Sequence, residues 1–180
     1  MDTKEKLKSG QATTKEALEI FDSLETVGID FMMGSWQGRG FHTGHPMDGL
    51  LEAYQWHGKR FENPEDVHPL VFSNRQGGLV SVNPKYAGPF LGLADRVPFP
   101  KAPVFGRIFQ FLLPLVTTTK SRARLRMTSY RGEVTATMIY DQLPINDVFR
   151  KIDDNSVFGA MDLKGMGTPF FFRLDREGSC

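Results

Sequence analysis

Residues 122–140 alternate with period two on both sides of an Arg131-Gly132 turn, and no other feature constrains the fold as strongly. Arg122 to Tyr130 and Glu133 to Tyr140 have the length of hairpin strands, with Val134, Ala136, Met138 and Tyr140 on one face and Thr135 and Thr137 on the other. Such a ribbon is not stable alone and must bury its apolar face against more sheet, so an antiparallel, mostly β fold is expected around it. A last hairpin is read from Ser156 to Leu163 and Pro169 to Leu174, around Lys164 to Thr168. Between the two hairpins, Asp147 to Ile152 reads as one helical turn.

The first half of the chain is less regular. Thr13 and Glu16 form a capping box ahead of an amphipathic helix over Lys15 to Leu24, and residues 1–12 are expected to be a flexible arm. Phe31 to Phe41 carries Gly34, Gly38 and Gly40, the pattern of a strongly bent strand suited to a barrel. Leu50 to Trp56 is a further element, followed by a polar loop through Asn63-Pro64. His68 to Ser73 and Leu79 to Val82 then flank a Gln76-Gly77-Gly78 turn. Five prolines between 83 and 103 predict a long loop, and Val104 to Leu115 an apolar helix too short to span a bilayer. Strands do not alternate with long helices, which argues against a doubly wound parallel sheet. The expected fold is one mostly β domain over 13–178, an antiparallel barrel of about eight to ten strands with one helix outside and the apolar helix beside the mouth.

Composition narrows the function classes. With 22 Lys+Arg against 21 Asp+Glu the chain has a net charge of +1, which argues against a nucleic-acid binder working through a basic footprint. The single cysteine, Cys180, allows no internal disulfide and no cysteine-built metal cage. The charged start of the chain is unlike a signal peptide, so a cytoplasmic location without a transmembrane segment is expected.

A string of motifs runs through both halves: Gly34-Ser35-Trp36-Gln37-Gly38, Gly44 to Glu52, Trp56-His57-Gly58-Lys59 and His68 to Phe72, then Tyr130-Arg131-Gly132, Tyr140-Asp141, Leu143-Pro144-Ile145, Asp147, Phe149-Arg150 and Gly159-Ala160-Met161-Asp162. This series resembles the GXWXG protein family, whose C-terminal half is a domain of unknown function (4334). The resemblance covers roughly residues 15 to 176, across a GXWXG half over 13–100 and a C-terminal half over 118–178. It implies a family without bringing catalytic residues with it. A narrower resemblance, resting on Gly34 and Trp36, is to the start of lipocalin-like barrels, and it implies a barrel with Trp36 closing one end.

Three groups of residues could carry a function. His45 lies three residues before Asp48, a spacing that suits either a general base oriented by a carboxylate or a turn in which Asp48 caps backbone amides. His42, His57 and His68 lack the spacings of a metal site, so no metal is expected. Arg122, Arg124, Arg126 and Tyr130 share one strand face; pointing inward it would anchor a carboxylate or phosphate, pointing outward it would be a solvated edge. Fifteen Phe and eight Met are ample to line an apolar pocket, with Phe105 and Phe109 beside its mouth. The leading expectation is a carrier or sensor for a hydrophobic small molecule with an anionic head, such as a fatty acid. The rivals are a small-molecule enzyme using His45 and Asp48, and an interaction protein whose apolar helix docks a partner. No cofactor is indicated, and a homodimer is a further expectation.

Overall fold

The computed structural model describes residues 2–87 and 101–178. Most of the proline-rich loop expected over 83–103, and Cys180, lie outside the described residues. The elements in chain order are α1 (Thr3–Ser9), α2 (Thr14–Ser23), β1 (Glu25–Thr26), α3 (Ile29–Met32), β2 (Gly34–Phe41), α4 (Leu50–Ala53), β3 (Trp56–Phe61), β4 (Val67–Ser73) and β5 (Leu79–Ser81). A 3-10 turn, Pro84–Tyr86, follows, and then α5 (Pro103–Val116), β6 (Ala123–Tyr130), β7 (Glu133–Tyr140), β8 (Ile145–Asp153), β9 (Ser156–Leu163) and β10 (Phe170–Arg176).

Eight of these strands close into an antiparallel barrel in the order β8-β7-β6-β4-β3-β2-β10-β9, with β9 returning to β8. Neither half of the chain closes alone. β2 joins the last strand along its length, from Phe171 opposite Phe41 to Arg176 opposite Trp36. The other junction is a narrow seam, where β4 meets β6 at Val67 and Ala123, helped by Arg122 N–H donating to Val67 (3.0 Å) and Leu125 N–H donating to Pro64 (2.8 Å).

Two apolar layers hold the barrel. The inner one contains Trp36, Trp56, Phe61, Leu125, Met138, Phe149 and Phe172. The outer one forms where Leu7, Ala17, Ile20 and Phe21 of α1 and α2 cover Val148, Phe158, Ala160 and Phe171. β8, β9 and β10 are therefore buried on both faces, which is why their apolar residues show no clean alternation.

This second layer explains several departures from the sequence reading. Residues 3–9 are not an arm but a helix, with a capping box from Asp2 and Glu5, a left-handed Gly10 at its end, and Leu7 buried under it. Asp147 to Ile152 is strand, not a helical turn, because Val148 faces α2 while Phe149 faces the interior. Residues 57–61, expected in the polar loop after Trp56, belong to strand β3. Phe31 lies in a short helix that ends at Met32, so the first long strand begins at Gly34.

Candidate functional site

The bulge in β3 is where the site begins. Trp56 pairs with Phe72 and Gly58 with Val71, and the register shifts on either side of Gly58. Gly58 has φ 155°, and a Cβ there would lie 1.8 Å from the carbonyl oxygen of Trp36, so the chain can make this bulge only with glycine. The extra residue sets Lys59 opposite Trp36, on the inner face. Across the barrel, the period-two face Ile145, Asp147 and Phe149 of β8 points the same way.

Lys59 and Asp147 meet in the interior, Nζ to Oδ2 at 2.7 Å, with side chains 3% and 1% exposed. Lys59 Nζ also donates to the Pro69 carbonyl at 3.1 Å. The ammonium lies 5.1 Å from the centre of the Phe172 ring, 5.4 Å from that of Trp56 and 5.8 Å from that of Tyr140. Burial pushes the Asp147 carboxyl above the usual carboxylate range, although the Lys59 charge and hydrogen bonds from Lys59 and Tyr140 pull the other way. Tyr140 is pushed well above the ordinary phenol range, first by burial and then by the Asp147 charge and the hydrogen bond to it. Two polar atoms of this centre, Asp147 Oδ1 and Trp56 Nε1, are buried without a hydrogen-bond partner among the described residues. Orphans of this kind are costly, on the order of 1–3 kcal/mol each, and mark a place where a ligand or water can add bonds.

The other tryptophan is fully engaged. Trp36 Nε1 donates to the Met32 carbonyl at 2.7 Å, and the Arg176 guanidinium stacks 4.2 Å from its ring centre while bonding the carbonyls of Phe31 and Met33. Gly38, two residues on, exists for Trp56: a Cβ there would fall 2.1 Å from the indole. The GSWQG string thus seats both indoles, one across its own strand and one from the neighbouring strand.

The residues singled out from the sequence fall elsewhere. Ala123 and Leu125 face the interior, so the arginine column lies on the outer wall and the inward anion anchor is corrected. Arg124 is exposed, Arg126 pairs with Glu65 and bonds the Pro64 and Leu125 carbonyls, and Tyr130 packs edge-on against Phe21 at 6.0 Å in the outer layer. Asp48 Oδ2 accepts the backbone N–H groups of Thr43, Gly44 and His45 at 2.8–2.9 Å, which makes it the cap of its own turn. The buried His45 ring accepts the Met47 N–H at 3.1 Å, approaches Met166 Sδ at 3.1 Å and lies 5.4 Å from the Phe170 ring. Phe109 covers the barrel end against Phe72 (5.0 Å) and Tyr54 (5.2 Å), whereas Phe105 is 42% exposed.

Two small cavities adjoin the barrel wall, about 60 Å³ beside His57, Lys59 and Glu177 and about 190 Å³ between α1 and β2. Both are below the roughly 300–1,000 Å³ typical of small-molecule sites. Among the described residues no cluster of three His, Cys, Asp or Glu side chains could hold a metal ion, and no helix is long and apolar enough to cross a membrane.

Comparison with known proteins gives relatives rather than an activity. The model of the family described as GXWXG protein matches residues 19–77, and that of a domain of unknown function (DUF4334) matches residues 121–176. A solved structure of a protein from Thermomonospora curvata is 32% identical, with the match covering 98% of this chain and 99% of that one at a TM-score of 0.71. No curated protein matches the chain.

Proposed function

We propose that this chain, which belongs to the GXWXG family and carries that family's C-terminal domain of unknown function, binds a hydrophobic small molecule with an acidic head, as a carrier or sensor. The observation that carries this reading is the buried Lys59–Asp147 pair with one orphan acceptor, Asp147 Oδ1, and one orphan donor, Trp56 Nε1, inside an apolar barrel. A carboxylic acid has the matching complement. Its hydroxyl donates to Oδ1, its carbonyl accepts from the indole, and the Lys59 charge stabilises the carboxylate when the proton passes to Asp147. The raised Asp147 pKa favours that transfer. The anchor expected at the arginine column is thereby moved to Lys59. The tail would be lodged among Met138, Met161 and Phe172, where flexible thioethers can yield to a guest. Entry is by way of α5, whose Phe109, Leu113 and Val116 cover one end of the core.

The test is a displacement titration with a fluorescent fatty acid, comparing a long-chain acid with the alcohol of equal length. The acid should bind about tenfold or more tightly, the difference between a charge-assisted and a neutral hydrogen bond. The double variant Lys59→Met, Asp147→Leu, which keeps volume and removes the orphan acceptor, should erase the preference. Equal affinities for acid and alcohol in both proteins would overturn the reading.

A further inference from the structure

Helix α5 is amphipathic in reverse. Gly106, Gln110 and Leu113 are buried and Phe109 is partly so, while the opposite face sets Val104, Phe105, Ile108, Phe111, Leu112 and Leu115 in solvent. Phe111 and Leu115 are 72% and 76% exposed. A helix apolar around nearly its whole circumference is ordinarily buried in a large core or in lipid, and exposed apolar faces of this kind mark contact surfaces.

The described segments on either side of this face carry charges of one sign. α5 runs beside the β4–β5 hairpin and the segment after it: Gln110 bonds the Ser73 carbonyl, Arg75 bonds the Arg107 carbonyl, and Asn83 bonds the Val116 carbonyl. Residues 74–87 and 101–120 together carry Arg75, Lys85, Lys101, Arg107 and Lys120, all exposed, and not one Asp or Glu. In a chain of net charge +1, that asymmetry is local. Arg75 lies 6.0 Å from the Phe111 ring centre and Lys85 4.8 Å from that of Tyr86, so long basic side chains and aromatic rings stand side by side around the apolar face. Leu79 and Tyr86, 50% and 46% exposed, extend the patch beyond the helix.

We infer that this face docks on a lipid surface bearing anionic headgroups. The apolar residues enter the boundary between headgroups and acyl chains, and the five basic side chains reach phosphates around them. A protein partner or a second copy would be met by the same apolar residues, but neither requires a ring of one charge sign. The inference goes beyond the ligand reading and stands without it, since a docked barrel need not hold cargo.

The test is flotation of the full chain with vesicles of phosphatidylcholine alone and of phosphatidylcholine with phosphatidylglycerol, none containing fatty acid. Docking predicts at least tenfold more bound protein on the anionic vesicles, falling as salt is raised. The double variant Phe111→Asp, Leu115→Asp should abolish it. Lys101→Glu with Lys120→Glu should remove the preference for anionic lipid. All four positions are exposed, and circular dichroism melts matching the parent show that the variants fold. Parent protein that stays unbound on both vesicles overturns the inference. Light scattering then separates a dimer dispersed by Phe111→Asp, Leu115→Asp, which assigns the face to a second copy, from a monomer, which leaves it to a protein partner.

Discussion

The barrel buries two tryptophans and treats them oppositely. Trp36, 0% exposed, spends its N–H on Met32 and its ring on Arg176. Trp56, 7% exposed, has no partner for its N–H among the described residues and stands beside an ammonium and a carboxylate that are themselves out of water. Folding alone would favour the first arrangement everywhere, because a buried donor without a bond costs more than the bond returns. The Trp36 end is thus built for stability, while the Trp56 region keeps unspent hydrogen bonds in the middle of its core. A structure tolerates such a cost where something else uses it.

The largest expected effect that would break this comparison is on the Trp36 side. Trp36→Ala removes a fully buried ring and should cost about 3–5 kcal/mol, seen as a large drop in melting temperature; an unchanged melt would deny it the role of plug. On the other side, Asp147→Ala strands Lys59 and should cost about 3 kcal/mol. The double variant Lys59→Met, Asp147→Leu should be neutral or stabilising, since a buried pair rarely repays its own desolvation. A double variant as unstable as the single one would mean that the pair holds the fold. Replacing each indole by phenyl sharpens the contrast. Trp36→Phe leaves the Met32 carbonyl short of a donor and should cost about 1–3 kcal/mol beyond the lost volume, whereas Trp56→Phe deletes an N–H that has no bond to lose. The smallest effect is on pH dependence. Because the folded-state pKa of Asp147 is raised, the folded chain holds its proton at pH values where the unfolded chain has released it. Stability of the parent relative to the double variant should therefore fall as pH rises from 3.8 through the raised value, and denaturant melts at stepped pH should follow that sign.

Much of the architecture is legible in the sequence, and the reasons for what is not are local. The 123–140 hairpin and the β9–β10 pair announce themselves by strand length, with a glycine-containing turn between strands, and α2 by its cap and stripe. The site itself is hidden twice over. Lys59 sits in a strand whose alternation is broken at Gly58, so the stretch from His57 to Phe61 passes for polar loop. Asp147 sits in a strand buried on both faces, and without foresight of the helices outside, Asp147 to Ile152 passes for a turn of helix. One signal was available: Asp147 is two residues from Ile145 and two from Phe149, a charge in the middle of an apolar stripe. The arginine column had the right period, but the face was decided by its neighbours, because Ala123 and Leu125 have the greater claim on the interior. Nothing in the local sequence around Arg176 shows that it closes over Trp36, since that contact spans the chain.

Only two tryptophans mean only two indole N–H signals in a 15N-correlated NMR spectrum, and the central claim can be read from them directly. Titration with a medium-chain fatty acid should move one of them progressively, the one lost in Trp56→Phe, as its N–H gains a partner, while the Trp36 signal stays in place. Both signals unmoved at saturating acid, or the Trp36 signal moving and the Trp56 signal fixed, would contradict a head-group site at Lys59 and Asp147.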